Sequence, residues 1–486
     1  MSSVTRTPPP VGGPTPPEPA GQGPEQSSFV SGARVLSIGI ASTGIFTFAY
    51  LAVASHVLDP SSYSRVSLCW AIMFVILSVI YRPIEQLLSR TIADRRARGQ
   101  GQNSLRVPAA IQFGFALVFL IAAIALRDQI EQGMFDGSAA LYWILVIGVL
   151  AYAASYFARG WLAGHERFAL YGALVFLEST SRFLFALAVA VGIGSGQGAV
   201  GLGMAVAPFA SLCVIPFAFA HLRVGHPPNE RGIPTVDAAS EGPAHAQFEE
   251  AATAEAAEAA TEMSLRNGAG FAVAVVGIML SEQALMNAGV LIVAAGAGGG
   301  SLTGGLTGFV FNVMLIVRAP LQLFQAIQTS ILPHLAGLEA RENADEFHRA
   351  IRVTILAIAG FGLAVALGLL LIGPPVMTAF LGDKGFSYGR YGLALVGLGM
   401  GLHLVSGTLN QAALARGRAQ WAAAAWLVSA ALFVLFVAVH TVSSEVTRVE
   451  VGYFGATAVL CALLTLIYRR GPGTTATAPA ASAIAA

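Results

Sequence analysis

The sequence predicts an all-α polytopic membrane protein, with about twelve transmembrane helices in two parallel six-helix bundles around a central cavity. Hydrophobic residues make up 55% of its 486 residues and Asp, Glu, Lys and Arg only 11%, whereas a soluble domain carries about 25% charged residues. Apolar runs of about 20 residues, long enough to cross about 30 Å of hydrocarbon as a helix, recur along the chain. The second half of the chain also repeats features of the first. This composition excludes a soluble enzyme and a nucleic-acid-binding protein.

Twelve apolar segments of helix length follow one another between two polar tails. Short polar or Gly-rich breaks separate them, and the breaks at Gly194–Gly198 and Gly296–Gly305 are predicted to be tight turns on the outer side. The segments lie near residues 34–55, 66–90, 107–126, 140–163, 171–194, 199–222, 266–294, 303–331, 352–373, 391–414, 419–440 and 447–468.

Polar stretches divide the chain into domains. Residues 1–30, which are rich in Pro, and residues 471–486 cannot bury a core and are predicted to be disordered tails. Residues 1–30 also lack the pattern of a cleavable signal peptide, so the N-terminus is expected to be retained. The acidic stretch 223–265 is predicted to be a cytoplasmic linker, either disordered or helical. It separates six-helix bundles at 31–222 and 266–470.

The basic residues predict the orientation in the membrane. Of the 27 Lys and Arg residues, nineteen fall in segments on the same side as both termini, five on the other side and three within the spans. Short cytoplasmic loops carry an excess of Lys and Arg. Both termini are therefore predicted to be cytoplasmic. Because six spans are an even number, the two halves enter the membrane in the same orientation.

Two motifs recur in the two halves. The second segment contains YRPIEQLLSR and the eighth contains VRAPLQLFQ, so Arg82 and Arg318 each stand just before a proline, 236 residues apart. The fourth segment runs into ARGWLAGHERF and the tenth into ALARGRAQW. Pairing Leu162 with Leu414 gives an offset of 252 residues. Two motifs at similar offsets indicate a parallel internal repeat, in which transporters place a site between two bundles.

These residues resemble the polysaccharide (lipid-linked oligosaccharide) flippases of the multidrug/oligosaccharidyl-lipid/polysaccharide exporter superfamily. The likeness rests on HVLDPSSYSRVSLCWAIMF, YRPIEQLLSR, ARGWLAGHERFALYGALVFLES, RAPLQLFQAIQTSILPHLAGLEA and LNQAALARGRAQ, spread over residues 34 to 470. It implies a transporter of the bacterial cytoplasmic membrane that flips a polyprenyl-diphosphate-linked oligosaccharide to the outer leaflet by alternating access. Its expected partners are that glycan, membrane lipids, and a glycan polymerase or glycosyltransferases.

Six charged residues are placed inside the spans, where one Arg costs about 2.5–3.5 kcal/mol on insertion scales. In one interpretation the three Arg bind the diphosphate, because guanidinium groups match phosphate oxygens, and the three Glu tune them or couple to an ion. In the other interpretation, ion pairs such as Glu178 with Arg182, four residues apart on one helix, only hold helices together. Arg318 then extends its charged end to the membrane interface. The six are Arg82, Glu85, Glu178, Arg182, Glu282 and Arg318.

Four further residues are candidates for the site or for its motion. Asn312 and Asn410 are expected either to bond sugar hydroxyls or to join helices. Pro83 and Pro320 each remove a backbone donor and kink a helix. They are therefore predicted to be hinges for alternating access, unless they are ordinary transmembrane prolines.

Motifs for chemistry are absent from the sequence. It contains no phosphate-binding loop, no Cys/His cluster and no hydrolase-like order of Ser, His and Asp, so neither an enzyme nor a metal or other cofactor is predicted. Two other functions remain open: a proton- or sodium-coupled drug exporter of the same superfamily, and a non-transporting membrane scaffold for glycan biosynthesis. A scaffold should tolerate neutralisation of the six charges, whereas a transporter should not.

Overall fold

A computed structural model of the chain describes residues 42–97, 106–220, 273–296, 305–318, 320–321, 324, 344–383, 385–439 and 442–470. The predicted tails at 1–30 and 471–486, the linker at 223–265 and the bundle limits at residues 222 and 266 lie outside them. Within these ranges the chain is almost entirely helical and contains no strand. The all-α fold class is thereby confirmed.

The helices of the first half cover its six predicted segments and add one short element. The second span consists of α2, a π-helical turn at Leu77–Tyr81 and α3, and the sixth of α8 and α9. The helices are α1 Ser42–Val57, α2 Pro60–Ile76, α3 Arg82–Ala97, α4 Arg106–Ala125, α5 Arg127–Phe135, α6 Ala139–Gly164, α7 Phe168–Ala190, α8 Gly196–Leu212 and α9 Ile215–Ala220.

The helices of the second half correspond to the remaining six segments. Ten helices of the described chain are long and apolar enough to cross a membrane, and α1 and α11 are shorter apolar helices. The second-half helices are α10 Val273–Gly296, α11 Leu306–Arg318, α12 Ala344–Leu381, α13 Arg390–Ala415, α14 Ala419–Ala438 and α15 Glu445–Arg469.

Two predicted elements differ from the structure. The ninth segment, predicted at 352–373, is the 38-residue helix α12, because a polar helical stretch precedes its apolar part. Helix α5 was not predicted, because RDQIEQGMF was assigned to a loop. It ends where Asp136 and Gly137 adopt φ of 53° and 77°, in the left-handed region that stops a helix.

Local sequence explains where several helices begin. Asp59 caps α2, since its carboxylate accepts hydrogen bonds from the backbone N–H groups of Ser61 (3.1 Å) and Ser62 (3.0 Å), and Pro60 occupies the first helical position. Partial burial alone would raise the pKa of Asp59, but the hydrogen bonds from both serines outweigh it and lower that pKa. Ser138 and Ser444 cap α6 and α15 in the same way.

The fourth span of each half is central to its packing. In the first half α6 contacts α8 and α3 most extensively, and α2, α4, α5 and α7 as well. In the second half α13 packs against α12, α14 and α15. Both helices end within the repeated motifs that pair Leu162 with Leu414, so the repeat in the sequence is matched by a repeat in packing.

Candidate functional site: charged residues in the middle of the membrane

Glu178 is the centre of a charged cluster in the first half. It lies on α7, ten residues after Phe168 and twelve before Ala190, which places it about 15 and 18 Å from the helix ends at 1.5 Å per residue. Only 4% of the residue is exposed. It is therefore a carboxylate near the middle of the bilayer, where it needs partners.

Four side chains supply those partners. One carboxylate oxygen, Oε1, accepts hydrogen bonds from Arg182 (3.0 Å) and from the Tyr152 hydroxyl (3.1 Å). The other, Oε2, accepts from Ser155 (3.3 Å) and forms a salt bridge with Arg159. The predicted contact between Glu178 and Arg182 on one helix thus forms, and α6 contributes the remaining three donors.

Arg159 was missed by sequence reasoning, which placed it in a cytoplasmic segment. It lies on α6, five residues before the helix ends at Gly164, and is 9% exposed. A signal was present, because Tyr152, Ser155 and Arg159 follow one another at intervals of three and four residues, so that they share one face of the helix. We call Arg159, Glu178 and Arg182 the Glu178 cluster.

Aromatic rings surround both guanidinium groups of the Glu178 cluster. Arg182 lies 4.9 Å from the Trp70 ring centroid and 5.7 Å from that of Phe74. Arg159 lies 4.5 Å from the Tyr156 ring. Such cation–π contacts stabilise a cation away from water. With two Arg and one Glu, the cluster carries a net charge of +1.

Arg82, Pro83 and Glu85 lie closer to the cytoplasmic end predicted for the first half. The Glu85 carboxylate accepts a 2.6 Å hydrogen bond from the hydroxyl of Tyr171, near the start of α7. Arg82 is half-buried at the start of α3. The π-helical turn Leu77–Tyr81 directly precedes it, and the Arg82 N–H bonds to the carbonyl of Leu77. A wider turn at this point accommodates Pro83, which has no N–H to donate. The hinge role of Pro83 stays a prediction.

Arg318 is the corresponding cation of the second half. It is the last described residue of α11, twelve residues after Leu306, or about 18 Å along the helix. Its Nη2 donates to the side-chain oxygen of Asn287 (2.6 Å) and the carbonyl of Met286 (3.3 Å), both on α10. The guanidinium also lies 4.6 Å from the Phe311 ring. Arg318 is 9% exposed, so its guanidinium is held inside the protein.

No carboxylate in the described part of the chain lies within salt-bridge distance of Arg318. Its Nε is buried and has no acceptor among the same residues. The amide of Asn287 is itself positioned by Gln283, which accepts from it at 3.1 Å. A neutral amide and a carbonyl orient the guanidinium but leave its charge in place.

The other predicted residues of the second half are in different surroundings. Glu282 is half-buried on α10 and interacts electrostatically with Tyr453 of α15. Asn410 accepts a 3.2 Å hydrogen bond from the indole of Trp426, which joins α13 to α14. Pro320 is helical and half-buried just beyond α11. Their roles in ion coupling, substrate binding and hinge motion remain predictions.

Asn312 lies where the two halves meet, at the end of the bundles that contains Val57, Leu306 and Leu381. The distribution of basic residues predicts that this end faces outward, so we call it the outer end. Asn312 is fully buried, and its side-chain oxygen accepts a 2.6 Å hydrogen bond from Tyr63 of the first half. Its amide contacts the Leu381 carbonyl (3.4 Å) and the Tyr388 hydroxyl (3.3 Å). Binding of a sugar by Asn312 stays a prediction that requires this contact to open.

Two more hydrogen bonds join the halves at the outer end. The Ser64 hydroxyl accepts from the backbone N–H of Gly308 at 3.0 Å, and the Ser55 hydroxyl donates to the carbonyl of Leu381. A Cβ on Gly308 would lie 2.7 Å from a ring carbon of Tyr63, so α11 and α2 approach each other as closely as glycine allows. The outer end is closed by direct contact.

The prediction that only six charged residues lie inside the spans is wrong. Besides Arg159, the structure places Arg448 and Glu450 in the transmembrane helix α15, with 4% and 5% exposure. Arg448 was assigned to an outer loop, but it donates to the Val437 carbonyl at 3.2 Å and lies 3.9 Å from Glu445. Helix α15 begins at Glu445, earlier than expected, because Ser444 caps it.

Comparison with known proteins identifies the fold. No family model and no curated protein matches the chain. Among solved structures, a mutant of the Vibrio cholerae MATE transporter VcmN is 14% identical with a TM-score of 0.56, over 92% of this chain and 98% of that one. An outward-facing multidrug resistance MATE family transporter of the MOP superfamily is 14% identical with a TM-score of 0.61, over 91% and 95%. An inward-facing multidrug resistance MATE family transporter of the same superfamily is 14% identical with a TM-score of 0.59, over 90% of this chain and 97% of that one. The chain therefore has the fold of the MATE transporters, with two helical bundles.

Proposed function

We propose that the protein is a membrane transporter that flips a polyprenyl-diphosphate-linked oligosaccharide, or a related glycolipid, from the inner to the outer leaflet by alternating access. The observation that carries this proposal is the buried Arg318, whose charge no carboxylate of the described chain neutralises. Burying a cation at this depth costs free energy unless an anion pairs with it. A diphosphate group would supply that anion and would match the guanidinium donors.

The Glu178 cluster supports the same ligand class. It contributes a second net positive charge from the first half, so each half presents one excess cation near the middle of the membrane. A disubstituted diphosphate carries two negative charges and would therefore balance both halves together. Arg82, with Glu85 beside it on α3, adds one charge of each sign nearer the cytoplasmic end and leaves this balance unchanged.

Flipping in liposomes tests this function. Purified protein is reconstituted with a fluorescent short-chain polyprenyl-diphosphate disaccharide, and the rate at which label reaches the opposite leaflet is measured. Arg318→Ala is expected to lower the rate at least tenfold at equal protein content, because the anion loses its partner. Arg127→Ala, which removes an arginine from the surface helix α5, serves as the matched control. An unchanged rate in Arg318→Ala would refute the proposal.

Alternating access has a separate test at the outer end. Ser64 is fully buried between the halves, whereas Ser443 is exposed in the loop before α15. In a background without Cys69, Cys213 and Cys461, Ser64→Cys should resist a membrane-impermeant thiol reagent at rest and react when substrate is transported. Ser443→Cys should react throughout. Protection of Ser64→Cys during active flipping would contradict opening at this end.

A proton- or sodium-coupled drug exporter is the second candidate. The multidrug resistance transporters among the similar structures favour it. The carboxylates Glu85, Glu178 and Glu282 would then serve in ion coupling or charge pairing. Efflux of a cationic dye from the same liposomes distinguishes the two, because the excess positive charge should repel such a dye. A non-transporting scaffold would show neither activity.

The setting of the proposed function follows from the sequence. We place the protein in a bacterial cytoplasmic membrane with both termini in the cytoplasm, from the distribution of basic residues. Its partners would be the lipid-linked glycan, membrane lipids, and a glycan polymerase or glycosyltransferases that make or use the glycan.

A further inference from the structure

We infer that Arg159 and Arg182 form a second anion site, which the Glu178 carboxylate occupies in the unliganded protein and which a phosphate group of the substrate takes over. The inference rests on the proposed function and adds to it a binding residue, Arg159, and an internal competitor, Glu178. Its starting point is a difference between the halves: Arg182 is paired with a carboxylate, whereas Arg318 is paired with an amide.

The Glu178 carboxylate is held as an anionic ligand would be held. Its two oxygens face one guanidinium each, from Arg182 on its own helix and Arg159 on α6. Hydroxyl groups of Tyr152 and Ser155 complete the set, one on each oxygen. Two guanidinium groups and two hydroxyls converging on a pair of oxygens are also the donors that bind phosphate. The pocket for an anion is therefore already built, and a side chain fills it.

One carboxylate does not satisfy this pocket. The Glu178 cluster keeps a net charge of +1, and the nearby Arg82 and Glu85 add one charge of each sign. The Nε groups of Arg159 and Arg182 are both buried and have no acceptor in the described chain. Unsatisfied charged donors in a dry site are costly. A phosphate group brings more oxygens and more charge than a carboxylate, so it would engage donors that Glu178 leaves unused.

The pocket is closed in this structure. Arg182 is 2% exposed and lies against Trp70 and Phe74, and Arg159 is 9% exposed. An incoming phosphate must therefore displace the carboxylate rather than add to it. No carboxylate of the described residues pairs with Arg318, so Arg318 would bind the first phosphate group, and the Glu178 cluster would bind the second when the halves rearrange. Glu178 thus selects for ligands with enough charge to compete with it.

A purely structural ion cluster makes a different prediction for one substitution. If Glu178 only fastens α7 to α6, then Glu178→Gln weakens the protein and changes nothing about anions. If Glu178 competes with the ligand, then Glu178→Gln weakens the empty protein but tightens anion binding, because the neutral amide leaves both guanidinium groups to the ligand. Affinity for an anion therefore separates the two roles, whereas stability alone does not.

The experiment measures binding of farnesyl diphosphate, inorganic pyrophosphate and farnesol to the full-length protein in detergent. Glu178→Gln is expected to bind one or both diphosphate probes at least tenfold more tightly than the unsubstituted protein, and farnesol equally. Glu131→Gln is the matched control, since Glu131 also pairs with an Arg four residues away, at 3.1 Å, but on the outer surface. In the double variant Arg159→Gln/Glu178→Gln the gain should disappear.

Tyr152→Phe provides a variant that keeps the carboxylate, in case Glu178→Gln does not fold. It removes one of the four donors that hold Glu178, so the carboxylate is easier to displace and diphosphate should bind about threefold more tightly. If the unsubstituted protein binds diphosphate and neither variant binds it more tightly, this inference is overturned while the proposed function stands. A gain that farnesol shares also overturns it. If no form of the protein binds either diphosphate probe, the proposed function fails as well.

Discussion

The two halves of the molecule hold a buried arginine near the middle of the membrane by different means. In the first half, Arg182 is paired with Glu178, which Arg159, Tyr152 and Ser155 also contact. In the second half, the described residues that contact the Arg318 guanidinium are neutral: the amide of Asn287, the carbonyl of Met286 and the ring of Phe311. A carboxylate cancels most of the electrostatic cost of a buried cation, whereas neutral dipoles only orient it. Arg182 and Arg318 lie on helices that the internal repeat does not relate, so the two halves have placed and neutralised these buried cations independently.

The largest effect expected from this comparison is on stability. Glu178→Gln leaves two buried guanidinium groups without a counter-ion, and loss of one partner of a buried ion pair costs about 3–5 kcal/mol. Asn287→Ala removes a neutral acceptor from Arg318 and should cost about 1–3 kcal/mol. Unfolding in mixed micelles measures both. Equal losses would show that the two arginines are held equally, and the comparison would fail.

The next largest effect is expected from a substitution that gives Arg318 a carboxylate partner, as Arg182 has in the first half. Asn287→Asp places a carboxylate where the amide now contacts Arg318 at 2.6 Å, so it should compete with an incoming anion as Glu178 does. We expect the affinity for farnesyl diphosphate to fall about tenfold, or about 1.4 kcal/mol. Gln129→Glu, on the exposed surface of α5, controls for the added charge. If Asn287→Asp leaves the affinity for farnesyl diphosphate unchanged, then Arg318 does not bind the ligand.

The smallest effect concerns the same pair of residue types on the surface. Arg127 and Glu131 are four residues apart on α5 and 3.1 Å from each other, with Arg127 about half exposed. Exposed pairs of this kind contribute about 0.3–0.5 kcal/mol. Glu131→Gln should therefore change the unfolding free energy by less than about 0.5 kcal/mol, and added salt should reduce even that difference. A loss of stability as large as that of Glu178→Gln would mean that burial does not determine how much such an ion pair contributes to the unfolding free energy.

The sequence allows the helices to be predicted because each lies in a single apolar run. The twelve segments all have a helix in the described chain, and the contact of Glu178 with Arg182 follows from their spacing of four residues. Helix ends are harder to predict. Arg159 and Arg448 were counted with the segments outside the membrane because each lies within five residues of the end of its predicted apolar segment, although both are buried in helices.

Partners from different helices could not be read from the sequence. The pairing of Arg159 with Glu178, and that of Arg318 with Asn287 across 31 residues, depends on which faces of packed helices meet. Asn312 shows the same limit: its position in an apolar segment indicates a buried amide, but only the fold brings it against Tyr63, 249 residues away. Polar side chains in membranes are thus easy to find and hard to pair without the packing.

In the proposed transport cycle, the absence of a side chain at Gly308 would let one residue control how long each orientation lasts. A methyl group there would press on Tyr63 at 2.7 Å and on Ser64 at 3.0 Å, and opening of the outer end in that cycle would relieve both contacts. Gly308→Ala would therefore penalise one member of a two-state equilibrium and leave the other untouched, so that about 1.4 kcal/mol of strain shifts the populations tenfold. In that cycle a single carbon atom would hold the chain open to the outside, without any change to the charges proposed to bind the ligand.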